Sequence, residues 1–195
     1  MKNTLEKVLQ RTLLSTALTL TPLWAQAQTA EQENQQIQTL SATAAYELLQ
    51  TNPRAVLVDV RDPIEIKFTG FATPTAIHVP WALADRDNFD EAVKTWPMVS
   101  NSDFKSQIKQ RLDALGVAQD DPVIVMCRSG ARSEPGARVI ASLGFSESYS
   151  INNGFEGEAV EQGDHKGMRI TEGWRNSGLP WSYQINPDAV MHPED

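Results

Sequence analysis

Residues 123–126 read Val-Ile-Val-Met, apolar at every position. A strand with one wet face alternates polar and apolar side chains, so an unbroken run of this length fits a strand buried on both faces. Residues 55–58 repeat the pattern and lead into Asp59-Val60-Arg61, and residues 76–79 and 148–151 offer two further short strands. Helical segments stand between them. Ser41 caps a helix reaching about Gln50, with Ala45, Leu48 and Leu49 inward, and Asn52-Pro53 stops it. Phe104, Ile108, Leu112 and Leu115 recur at helical spacing up to Gly116, and residues 133–143 form a helix that tolerates Pro135 in its first turn. Apolar strands alternating with helices predict an α/β domain with a mostly parallel central sheet covered on both faces. Residues 82–101 read as a long loop anchored by Trp96 and Pro97, and residues 158–171 as a polar inserted loop.

The N-terminus reads as an address rather than as fold. Lys2, Lys7 and Arg11 precede a short apolar run, and Ala25-Gln26-Ala27 follows it. This is the pattern of a secretory signal peptide cut after Ala27, and the apolar run is shorter than the ~20 residues of a membrane span. Residues 28–40 read as a flexible linker, 41–182 as one domain and 183–195 as a short irregular tail. Without residues 1–27 the chain keeps 14 Lys+Arg against 24 Asp+Glu, a net charge of −10. Such a surface suits a soluble periplasmic or secreted protein and disfavours nucleic acid and anionic membranes as partners.

One cysteine, Cys127, is present. Exported proteins that use cysteine structurally tend to pair it, so a solitary one is either a small core residue or a reactive thiol. Its position decides. Cys127 follows the run at 123–126, and Arg128-Ser129-Gly130-Ala131-Arg132 lead from it into a helix near Ser133. The carboxyl end of a parallel strand is where ligands bind in such sheets. A tight strand-to-helix loop turns its amides inward as an anion cradle, and the helix N-terminus and two arginines add positive charge. Each effect favours a nucleophilic thiolate. Gly130 supplies the backbone freedom of the turn.

The stretch Cys-Arg-Ser-Gly-Ala-Arg-Ser at 127–133 resembles the active-site loop of single-domain rhodaneses. Leu57-Val58-Asp59-Val60-Arg61 with Glu65, Ala76-Ile77-His78-Val79-Pro80, Asn153-Gly154-Phe155, and Trp174 with Gly178-Leu179-Pro180 resemble other marks of that family in the same order. The Gly-His motif that the family usually carries before its second strand is missing from residues 70–76. The resemblance covers roughly residues 40–182 and implies a three-layer sandwich and a sulfurtransferase. Cys127 would attack the outer sulfur of thiosulfate or a persulfide, become a persulfide, and yield the sulfur to cyanide, a thiol or a protein thiol. The amides of residues 128–133 would form the cradle, including Ser129, Ala131 and Ser133, while Arg128 and Arg132 would attract an anionic donor. Asp59 and Arg61 would be supporting residues, joined as an ion pair. Nothing in this scheme requires a cofactor or a metal, and three scattered histidines with one cysteine make no metal set. His78 reads as structural and His165 as a solvated loop residue. Two alternatives stand beside the enzyme. One is a persulfide carrier serving a partner protein. The other is a phosphatase or arsenate reductase, disfavoured because phosphatase loops place the arginine where this chain has Ser133.

Overall fold

The computed structural model describes residues 37–190. The expected signal peptide and most of the expected linker therefore lie outside the described residues. Among the described residues, nine strands and four helices follow one another: β1 (Gln38–Leu40), α1 (Ala42–Thr51), β2 (Val56–Asp59), α2 (Pro63–Thr69), β3 (Phe71–Ala72), β4 (Thr75–His78), β5 (Ala82–Ala84), β6 (Met98–Ser100), α3 (Phe104–Ala114), β7 (Val123–Met126), α4 (Ser133–Ser142), β8 (Ser148–Ile151) and β9 (Trp181–Ser182).

Five strands form the central sheet in the order β1-β8-β7-β2-β4, every neighbouring pair parallel. Successive strand residues point to opposite faces. Val58, Val123 and Val125 meet Phe104, Ile108, Leu112, Ala137 and Ile140, so α3 and α4 cover one face. Leu57, Ile124, Met126 and Ile151 meet Ala42 and Ala45 of α1, with Phe155 and Trp174, on the other. This is the expected α/β sandwich. Ser41 caps α1 as predicted, its side chain accepting from the Ala44 amide at 3.2 Å.

Several expectations need correction. The linker does not run to residue 40. Ile37 is buried and 38–40 pair with Tyr149, Ser150 and Ile151 as an edge strand, because β8 would otherwise leave a row of backbone groups unpaired. Residues 82–101 are not a plain loop, since β5 and β6 pair antiparallel across them. The tail after residue 182 is irregular, as expected, but it packs back onto the domain. Ala189 is fully buried, its carbonyl accepts from the His78 amide at 2.7 Å, and it packs with Ile66 and Phe71 beside β4. Helix α2 went unread although its signal is local. Asp62 accepts from the Ile64 amide, Glu65 reaches back to the Asp62 amide at 2.9 Å, and Pro63 occupies the first turn.

Candidate active site

Strand β7 ends at Met126, and residues 127–132 turn before α4 begins at Ser133. The turn curls around the cysteine. The amides of Gly130 and Arg132 donate to Cys127 Sγ at 3.1 and 3.3 Å. Ser133 N–H closes the loop on the Gly130 carbonyl at 3.0 Å, and the Phe155 and Glu156 amides clasp the carbonyls of Cys127 and Arg128, each at 2.8 Å. Two glycines make the close approach possible. Gly130 has φ +106° and a Cβ there would stand 1.9 Å from the Asn152 carbonyl oxygen. Gly154 has φ +53° and a Cβ there would stand 2.5 Å from the Cys127 carbonyl oxygen.

The sulfur is more enclosed than the sequence suggested, with Cys127 only 1% exposed and packed into the α3–α4 side of the core. A cysteine acting only as a small hydrophobe makes no use of two convergent amides. Such a nest of N–H groups suits negative charge. Ser133 Oγ, also buried, has no hydrogen-bond partner and leaves a hydroxyl uncommitted in the same loop.

Both loop arginines are paired with carboxylates, so neither stands beside the sulfur as an uncompensated cation. Arg132 places Nη1 and Nη2 on the two carboxylate oxygens of Glu65 at 2.6 and 2.8 Å. Burial alone would raise the Glu65 carboxyl, but the Arg132 hydrogen bonds and charge outweigh it and hold Glu65 below its usual range. Burial likewise opposes the Arg132 cation, yet the hydrogen bonds and charge of Glu65 hold it above its ordinary value. Arg128 uses Nε on Glu156 at 2.8 Å, and Glu156 is shared with Arg175 at 2.9 Å. Ser129 lines the mouth, while Ala131 faces solvent.

Asp59 and Arg61 stand at the end of the neighbouring strand β2 and are both fully buried. Arg61 donates to Asp59 at 2.6 Å, to the Gly70 carbonyl at 2.9 Å and to Thr69 at 2.8 Å, with its guanidinium 4.1 Å from the Phe155 ring centre. The pair ties the C-terminal end of α2 to the Phe155 segment, two elements that also contact the loop. It touches no part of the cradle. His78 is buried, and its Nε2–H donates to the Arg61 carbonyl at 2.8 Å while Nδ1 has no partner. His165 is exposed.

Beside the loop opens a cavity of about 570 Å³, whose lining includes Trp81, Trp96 and Met98 together with Arg128, Arg132 and Arg169. Sequence reasoning missed Arg169. It lies in the 158–171 insertion, which is mostly exposed, and no spacing signal marks it. Glu156 was missed for the same reason, since only the folded chain brings it under Arg128 and Arg175.

Comparison with known proteins agrees with this geometry. The family model for the rhodanese-like domain matches residues 41–159. An uncharacterized protein of Rickettsia prowazekii is 29% identical over 147 residues, covering 75% of this chain and 98% of its own length. The thiosulfate sulfurtransferase GlpE of Tolumonas auensis is 32% identical over 75 residues, covering 38% of this chain and 66% of its own length. Among solved structures, Rv0390 from M. tuberculosis is 34% identical with a TM-score of 0.59, covering 75% of this chain and 97% of its own. The loop at Cys127, the sheet that presents it and the matched span agree: the chain belongs to the rhodanese-like domain family.

Proposed function

We propose that the protein is an exported sulfurtransferase that moves sulfane sulfur from thiosulfate or a persulfide to a thiol or cyanide through a persulfide on Cys127. The observation that carries this reading is the convergence of the Gly130 and Arg132 amides on Cys127 Sγ. Amides fixed in that direction stabilise a sulfur anion without reorganising during the reaction. The thiolate attacks the outer sulfur of the donor, a new S–S bond forms, and the old bond to that sulfur breaks. Sulfite leaves with the electron pair when the donor is thiosulfate. An acceptor then attacks the outer sulfur of the persulfide, and Cys127 departs as thiolate into the same cradle. The match to a thiosulfate sulfurtransferase over 75 residues supports the assignment.

A second reading has one observation in its favour. Cys127 is only 1% exposed, which fits a persulfide carrier that turns over slowly until a partner presents its thiol. The experiment loads the purified protein with thiosulfate and with glutathione persulfide, then measures the mass of the Cys127 peptide and steady-state turnover. The enzyme reading expects one added sulfur atom on Cys127, no addition in Cys127→Ser, and sustained turnover. Stoichiometric loading without turnover supports the carrier. Failure of both donors to add sulfur overturns the two together.

A further inference from the structure

We propose that the preferred sulfur donor is an organic persulfide bearing a carboxylate, its body resting on Trp96 and Met98 and its carboxylate held by Arg128 and Arg169. This rests on the sulfurtransferase reading and assigns a specificity-determining role to the 158–171 insertion.

Three observations carry it. The first is size. A cavity of about 570 Å³ falls within the ~300–1,000 Å³ of sites that enclose organic small molecules, and a small inorganic dianion would leave most of it to water. The second is charge. Arg132 spends Nη1 and Nη2 on Glu65, and Arg128 is tied to Glu156. A donor that depended on Coulomb attraction alone would find each of these cations already opposed. Arg128 is committed only through Nε, which leaves its outer nitrogens as donors for a single carboxylate. The third is the apolar wall. Ile64, Trp96 and Met98 line the mouth while remaining 54%, 49% and 46% exposed. A ligand with a carbon skeleton covers such a wall, whereas thiosulfate cannot.

Arg169 is held in place rather than left to solvent. The insertion closes on itself through Val160 N–H to the Met168 carbonyl and Gly167 N–H to the Val160 carbonyl, both at 2.8 Å. Asn176 Nδ2 donates to the Arg169 carbonyl at 3.2 Å, and Arg169 Nη1 donates to the Gly157 carbonyl. Its acidic neighbour Glu158 is 3.6 Å away and 68% exposed, so water screens that pair. The guanidinium therefore lines the cavity as the least compensated cation of the three.

The transfer balances without an oxidant. The Cys127 thiolate attacks the outer sulfur of R–S–SH, a new S–S bond to Cys127 forms, and the S–S bond within the donor breaks. R–S⁻ leaves with the electron pair and the proton remains on the transferred sulfur.

The test measures the second-order rate of Cys127 loading from glutathione persulfide and from thiosulfate, on the full chain and on Arg169→Ala and Arg169→Gln. The readout is the ratio of the two rates within each protein, which a general loss of folding or of cysteine reactivity does not move. The wild-type ratio favours glutathione persulfide, and both substitutions lower it by about tenfold, the loss of one charge-assisted hydrogen bond. Trp96→Ala lowers it as well. A wild-type ratio at or below unity, or a ratio unchanged by both arginine substitutions, overturns the proposal while leaving sulfur transfer intact. Loading from neither donor overturns the sulfurtransferase reading itself.

Discussion

Arg132 and Glu65 meet end to end, two guanidinium nitrogens on two carboxylate oxygens at 2.6 and 2.8 Å. The contact joins the last residue of the active-site loop to the first turn of α2, across 67 positions of sequence. Glu65 also serves its own helix by accepting from the Asp62 amide, so one carboxylate closes a capping box and anchors the loop. The pair is the device that fixes the outer wall of the cradle.

Replacing Glu65 with Gln therefore does two things. It removes a charge-assisted bidentate contact in which both side chains are only 18% exposed, at a cost of about 2 kcal/mol of stability. It also removes a pH dependence. Because the folded-state carboxyl lies below its ordinary 4.5, the fold gains stability from Glu65 above pH 4.5 and loses it as pH falls through the lowered value. Urea midpoints between pH 6 and 3 should show a shallower acid limb in Glu65→Gln than in the wild type. Equal limbs would mean that the pair is not formed in solution.

His78 titrates in a separate window. Burial is the largest influence and lowers its pKa, Arg61 adds to that, and Asp59, Asp62 and the bond to the Arg61 carbonyl oppose it. The net shift is downward from 6.5, so the folded state favours the neutral ring. Stability is complete above pH 6.5 and declines as pH drops from there toward the lowered value. His78→Gln keeps a donor for the Arg61 carbonyl and removes the charge, so its unfolding midpoint should stay flat from pH 7.5 to 5.5 where that of the wild type falls.

The buried pair Asp59–Arg61 makes a sharper demand. Asp59→Asn leaves a guanidinium uncompensated at 0% exposure, which costs about 3–5 kcal/mol. Asp59→Asn with Arg61→Met removes both charges and should recover a large part of that loss, measured as a higher unfolding midpoint than the single variant. A double variant no more stable than Asp59→Asn would show that the bonds from Arg61 to Gly70 and Thr69, rather than charge balance, account for the cost.

The parts that sequence made legible are those where one local rule dominates. An unbroken Val-Ile-Val-Met run leaves little choice but a doubly buried strand, and the cysteine, glycine and arginines after it mark the loop. Strand β1 was hidden because Gln38-Thr39-Leu40 has no apolar pattern of its own, its pairing being set by the open edge of β8. The β5–β6 ribbon is largely exposed, so neither period nor burial marks it. The Asp62–Glu65 capping box was readable in principle but closes a helix of only seven residues. Pairing of Arg128 with Glu156, and the arrival of Arg169 at the cavity, depend on tertiary placement that no short window contains.

Gly130 and Gly116 separate the strain of a backbone from the geometry of the cradle. Both take positive φ, +106° and +68°, so alanine at either position meets a conformation that L residues disfavour, at about 1 kcal/mol. At Gly116 a Cβ meets nothing within 4 Å, and the cost ends there. At Gly130 the Cβ would lie 1.9 Å from the backbone oxygen of Asn152, which is held by the turn out of β8 and cannot rotate aside. The loop must shift, and with it the amide that donates to Cys127 at 3.1 Å. Gly130→Ala should therefore lower the rate of Cys127 alkylation and of sulfur loading by at least tenfold, about 1.4 kcal/mol in the barrier. Gly116→Ala should lower the melting temperature by a few degrees and leave both rates unchanged. If the two variants slowed the thiol equally, reactivity would follow overall stability, and the aimed amides would have no special part in activating the sulfur.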